Sequence, residues 1–230
     1  MQSSTRTLAG VSLGALVLLL LWDASGWDLA LARLSGGATG FPLRDHWLAT
    51  AVLHEGGKYA AWSAATLLCI CAGLPVGPLR RLPFPRRLQL AASVLFATAL
   101  VSLFKTSGAT SCPWDLREFG GMARHVSHWT SWLAGDGGPG RCFPAGHASA
   151  GFAFAAGFFA LRRDLPGLAG QWLAGALIAG LVLGVAQQVR GAHFMSHTLW
   201  TAWICWIAGW LLDAAFDGAS RIGGPSEAAA

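Results

Sequence analysis

The chain has 230 residues, of which 54% are hydrophobic and only 12% charged, and it carries 12 Trp against one Tyr. A soluble domain carries about 25% charged residues, so this composition describes a polytopic membrane protein and excludes an ordinary soluble enzyme. The formal charge of +5 is small and clustered, which suits membrane orientation and not nucleic-acid binding.

In chain order, Leu8 to Trp22 is an apolar run preceded by Arg6. The residues after it, Asp23-Ala24-Ser25-Gly26, make a poor cleavage site, so the run is read as a retained first helix and not a signal peptide. Residues 23–47 form a polar-studded segment outside. Leu48 to Gly73 is the second span, with His54, Glu55 and Lys58 on one face of its outer end. A Pro-rich turn with Arg80, Arg81, Arg86 and Arg87 marks the cytoplasmic side under the positive-inside rule.

Leu88 to Phe104 is the third span, and it returns the chain outside at Lys105. An outer loop from Thr106 to Gly146 leads to the fourth run, Ala148 to Leu161, which ends at Arg162-Arg163 inside. That run is shorter than the roughly 20 residues a bilayer needs, so it is expected to start within a recessed outer cavity. Leu168 to Val189 and Phe194 to Leu212 are the fifth and sixth spans, and the tail with Arg221 lies inside. The expectation is an all-α bundle of six transmembrane helices forming a single domain over 1–230. Lys58, Lys105, Arg117, Arg124, Arg141 and Arg190 lie outside, against the rule, and therefore need another reason, such as an anion.

Three stretches meet at that outer face. Lys105 to Asp115 leaves the third span. Arg141-Cys142-Phe143-Pro144-Ala145-Gly146-His147 enters the fourth. Arg190-Gly191-Ala192-His193-Phe194-Met195-Ser196-His197 joins the fifth to the sixth. Proline and glycine place His147 at the first turn of a helix, where unpaired N–H groups and the helix dipole attract an anion. A phosphoryl group needs this set: positive charge, a nucleophile and a proton donor.

The arrangement resembles the type-2 phosphatidic acid phosphatase superfamily, whose pattern runs K-x6-R-P, then P-S-G-H, then S-R-x5-H-x3-D. The resemblance covers residues 88–212. It implies a phosphohistidine mechanism with His193 as nucleophile and His147 as general acid. Lys105 and the Gly146 backbone would hold phosphate oxygens, with no cofactor and no metal. Four positions depart from the pattern: Cys112, Ala145, Gln187 and His197 stand where the family has Arg, Ser, Arg and Asp. Arg190, one turn from Gln187, and Arg141 are read as substitutes for the missing arginines. His197 is read as the orienting partner of His193, with Asp115 or Glu118 as candidate sources of the lost carboxylate. His54, Glu55 and Lys58 are candidate head-group readers.

Cys112 and Cys142 are expected to pair if the loop faces an oxidising compartment, whereas Cys69, Cys71 and Cys205 read as buried hydrophobes. The implied substrate is a lipid carrying a phosphate monoester or diphosphate in the bacterial inner membrane, with the site facing the periplasm. A phosphotransferase of the same family and a non-catalytic lipid-binding or transport protein remain open. A metal held by His193 and His197, spaced i, i+4, is the weaker alternative, because no H-E-x-x-H pattern accompanies them.

Overall fold

The structure is a computed structural model describing residues 5–222, the side chains of 132 and 219–222 excepted. Arg221 falls among those exceptions. The chain is helical throughout, with no strand among the described residues. Helix α1 spans Thr5–Ser25 and α2 spans Trp27–Ala32. A π-helical turn, Leu48–Gly56, runs straight into α3, Gly57–Gly73. Helix α4 is Phe84–Ser107 and α5 is the short Ser131–Ala134. Helices α6 (Ser149–Phe152) and α7 (Gly157–Leu161) flank a 3₁₀ turn at Ala153–Ala156. Helices α8 (Pro166–Val189) and α9 (Met195–Ile222) complete the chain.

Among the described residues, five helical stretches are long and apolar enough to cross a membrane: Thr5–Ser25, Leu48–Arg81, Phe84–Ser107, Pro166–Val189 and Met195–Gly218. The fourth expected span, Ser149–Leu161, is the short one. At 1.5 Å per residue it rises about 20 Å, against a hydrocarbon core of about 30 Å. It lies at the centre of the bundle, packed on α4, α8 and α9, so it is covered by protein over most of its length.

Small residues let these helices approach. Ala97, Ala145, Ala148, Ala156, Ala160, Ala169 and Ala208 are completely buried. A Cβ built on Gly151 would lie 2.2 Å from the Gly180 nitrogen, so α6 and α8 touch backbone to backbone. Without a hydrophobic drive between helices in lipid, such close packing supplies the cohesion. Large residues such as Leu18, Ile178 and Leu211 face outward instead. Cys69 is exposed and Cys71 half-buried, so only Cys205 of that trio is a core residue. An apolar run in a membrane reads alike on its lipid and protein faces, which is why the sequence pattern misplaced the other two.

The two ends of α4 carry the polar work. Near its start, Arg86 reaches Asp213 at 3.3 Å and Asp217 at 3.0 Å on α9. Arg162 and Arg163 reach the same Asp213 at 2.7 and 3.2 Å, and Gln89 donates to it at 2.8 Å. This ionic knot ties α4, the end of α7 and α9 together. Lys105 lies 19 residues further along α4. That is about 28 Å away, close to one bilayer core.

The loop between α4 and α6 is folded, not slack. Buried Asp136 accepts from the Ser111 N–H (2.5 Å), the Ser111 hydroxyl (2.8 Å) and the Gly138 N–H (2.9 Å). Cys112 and Cys142 are joined by a disulfide with Cα atoms 5.1 Å apart.

Candidate active site

The three stretches that the sequence singled out are stitched to one another. The disulfide joins the first to the second. The Trp114 N–H donates to the Gly191 carbonyl at 2.9 Å, joining the first to the third. The Ala145 N–H donates to the His197 carbonyl at 3.2 Å, and the Thr201 hydroxyl donates to the Ala145 carbonyl at 3.1 Å, joining the second to the third. Gly191 is required twice over: its φ is +76°, and a Cβ there would strike the Phe41 ring at 2.3 Å.

A cavity of about 250 Å³ opens beside this junction. Its polar end holds His54, Lys58, Lys105, Gly146 and His147, and it continues along Trp62, Ala65, Val94 and Leu95 between α3 and α4. The Lys105 stem runs directly over Gly146, where an added Cβ would meet the lysine Cδ at 3.0 Å. The N–H groups of Gly146, His147 and Ala148 have no acceptor among the described residues, because the helical pattern starts with Ser149 bonding back to the Gly146 carbonyl. Three unpaired N–H groups beside a lysine form an anion cradle.

The His147 ring lies 3.8 Å from that of His54, tilted by 38°, and 6.2 Å from that of His193, centroid to centroid. Burial, with repulsion from His54, Lys105 and Arg190, pulls His147 down to about 3. It is therefore a neutral imidazole until an anion offsets that field. His193 is buried beside His147 and does not itself line the cavity. Burial, then Lys105, holds it well below the ordinary histidine range, so its lone pair is available. Its Nδ1 is 3.4 Å from the Cys142 sulfur, and the Cys142 backbone also bonds the ring. His197 stands 5.8 Å from His193, ring to ring.

The substitutes for the missing arginines divide. The Arg190 guanidinium donates to Gln187 Oε1 at 3.1 Å and to the Arg44 carbonyl at 2.7 Å. Gln187, in the place of the family arginine, thus anchors an arginine one turn later, within electrostatic reach of His147. Arg141 is exposed, its backbone sits at φ 61°, and it is not brought to the cavity. Arg117 and Arg124 are also exposed loop residues, and Arg117 donates to the Met122 carbonyl at 3.2 Å. Lys58 pairs with Glu55 at 2.6 Å, and Glu55 holds His54 at 2.9 Å. Asp115 accepts the Cys112 N–H at 3.2 Å and serves its own turn. Neither Asp115 nor Glu118 forms a hydrogen bond or ion pair with His193 or His197 among the described residues.

Cys142, His193 and His197 have potential ligand atoms within 4.8 Å of one another. The Cys142 sulfur is committed to a disulfide and carries no thiolate, so the trio is a poor fit to a metal in this oxidised form.

The helical bundle thus brings a lysine, unpaired N–H groups and paired histidines together at one end. The PAP2 superfamily model matches residues 86–219, and the chain belongs to this type-2 phosphatidic acid phosphatase superfamily. Membership supports phosphatase or phosphoryl-transfer activity on phosphate esters. Neither curated proteins nor solved structures gave a match. Lys105, Gly146 and His147 line the cavity, and His193 lies behind His147, 6.2 Å away ring to ring. Sequence reasoning missed the roofing segment Phe41–Arg44, which no motif marks.

Proposed function

We propose that the protein is an integral membrane phosphatase that hydrolyses a phosphate monoester or diphosphate on a lipid through a phosphohistidine at His193. The observation that carries this reading is the cavity itself, lined by His54, Lys58, Lys105 and His147 together with apolar residues of α3 and α4. That shape suits a phosphate head with an attached chain lying between α3 and α4, where the substrate can slide in from the bilayer. Phosphatidic acid, phosphatidylglycerol phosphate, undecaprenyl diphosphate and lipid A phosphates all have this form.

In this reading the phosphoryl group passes between the His147 and His193 rings. Lys105, the N–H groups from Gly146 onward and Arg190 neutralise its oxygens. Those oxygens offset the repulsion on His147, raise its proton affinity and let it act as the acid that protonates the leaving oxygen. His193 attacks phosphorus in line, and water then attacks the phosphohistidine, with His147 now accepting the proton. No step requires a metal, since the side chains supply the positive charge. His54 and Lys58 contact the remainder of the head group.

The short central helix completes a six-span bundle with both termini cytoplasmic, and the site faces the periplasm of a bacterial inner membrane. The basic groups near Arg86 and Arg162 at the opposite end support that orientation. Phosphate release by detergent-purified protein over those four lipids, with chelator present, tests the reading. Release from at least one lipid is expected. Release abolished by chelator would contradict the metal-free chemistry. No release from any lipid by folded protein would point to a phosphotransferase lacking its acceptor or to a binding protein.

A further inference from the structure

His197 stands where the superfamily pattern puts an orienting aspartate, and a neutral imidazole alone cannot stabilise the positive charge that develops on a phosphorylated His193. A carboxylate is nevertheless present on the far side of His197. Asp23, near the end of α1, is half-buried in a polar knot. Its Oδ2 accepts the indole N–H of Trp129 at 3.0 Å and of Trp200 at 2.9 Å, and lies 3.3 Å from His128 Nε2, within ion-pair distance but outside hydrogen-bond geometry. His128 is held flat against Phe143, the rings 4.0 Å apart and 9° from parallel. Its ring centroid is 5.9 Å from that of His197, which in turn is 5.8 Å from that of His193. A cavity of about 100 Å³ lies among Asp23, Thr110, His125, His128 and His197, room for bridging water between groups not in direct contact. His197 Nδ1 is buried with no hydrogen-bond partner among the described residues, while the Cys142 backbone bonds the His197 ring as it does that of His193.

We propose that Asp23, acting through His128 and His197, is the positioning carboxylate for His193, in place of the aspartate that position 197 lacks. The inference rests on the reading of His193 as the nucleophile. Asp23 attracts the Nε2–H of His128, which leaves the other nitrogen of that ring as an acceptor. That acceptor draws a proton of His197 toward it, directly or through water, and exposes a lone pair of His197 toward His193. The chain of rings orients its dipoles without transferring any proton, and its negative end offsets the charge on the phosphorylated ring. Asp28, the other acid nearby, is committed elsewhere: its Oδ1 accepts the Ser196 N–H at 2.9 Å and the Trp22 indole N–H at 2.9 Å.

The test uses full-length protein in detergent and two readouts. The first is the ring ¹⁵N spectrum of the histidines, assigned with single His→Gln variants. Asp23→Asn keeps an oxygen for both indoles and removes the charge. It is expected to move the resonances of His128, His197 and His193. Movement of His128 alone would overturn the proposal and leave Asp23 a structural anchor.

The second readout is phosphate release from phosphatidate micelles. Asp23→Asn is expected to lower kcat about 10–100-fold, the range typical of supporting hydrogen-bond partners, with KM within about twofold. His197→Asp places a carboxylate next to His193 directly. In that background Asp23→Asn is expected to cost less than about threefold, because the two changes act on one chain. An equal loss in both backgrounds would overturn the proposal. Should Asp23→Asn fail to fold, His128→Gln breaks the next link and enters the same cycle. Ring shifts that respond in a protein hydrolysing none of the four candidate lipids would sink the phosphatase reading and leave the Asp23 chain standing.

Discussion

Replacing both bridge cysteines, Cys112→Ser with Cys142→Ser, separates the loop from the site it covers. The bridge closes a loop of 30 residues. Chain entropy alone then assigns it about 3.6 kcal/mol at 25 °C. The substitution is mild sterically. The Cys142 sulfur lies 2.9 Å from the Ala192 carbonyl, where a serine hydroxyl can donate. The loss should therefore report the missing crosslink and not an orphaned polar group. A second effect follows from position. The Cys142 sulfur and backbone both touch His193, so a loosened Cys142 lets the nucleophile rotate away from its line of attack. Misplacement of this kind can cost up to about 100-fold in rate. Denaturant unfolding in detergent, followed by tryptophan fluorescence, reads the stability, and phosphate release reads the rate. A double-serine variant within about 0.5 kcal/mol of the parent and with unchanged kcat would refute both halves of this reasoning.

Other perturbations probe separate parts of the molecule. Asp213→Ala removes the carboxylate that Arg86, Arg162 and Arg163 share, whose side chain is 3% exposed, and should cost about 3–5 kcal/mol of stability. Asp217→Ala, at 24% exposure, should cost less, and equal losses in a thermal melt would contradict the idea that burial sets the difference. Lys105→Met should lower kcat/KM by roughly 100–1,000-fold through loss of an oxyanion contact, and a change under about fivefold would remove Lys105 from the site. The pH dependence has a fixed sign. His147, at about 3, and His193, well below the usual range, bind fewer protons folded than unfolded. Their contribution to stability is full above the unfolded value of about 6.5 and is lost as pH falls from there toward 3. Thermal midpoints should drop between pH 7 and 4.5, and a rise would be contrary. By the same logic, vanadate binding near pH 6 should take up protons at His147, as calorimetry in buffers of different ionisation enthalpy would show.

Much of the site was legible because its chemistry resists its surroundings. Lys105, Gly146, His147 and His193 interrupt apolar runs, and each sits at or near the end of a helix. The long spans were legible from continuous apolar length. The broken geometry of Ser149–Leu161 was only hinted at by its shortness, since its alanines and glycines suit α and 3₁₀ turns equally. Contacts across long sequence separations left no local signal. Phe41 capping Gly191, Arg190 gripping the Arg44 carbonyl, and Asp23 meeting Trp129, Trp200 and His128 arise from packing, not periodicity. Arg141 shows the converse failure: adjacency in sequence to the second motif suggested a ligand, but the left-handed backbone there turns the residue outward.

The most direct test of the central claim is to catch the phosphoryl group on the protein. Purified enzyme mixed rapidly with the best lipid of the panel, quenched in base and digested, should yield a peptide phosphorylated at His193 whose label is stable in alkali and lost in acid. The label should be absent in His193→Ala. A label on another residue, or turnover with no trapped label even when His147→Ala slows the second step, would contradict His193 as the nucleophile.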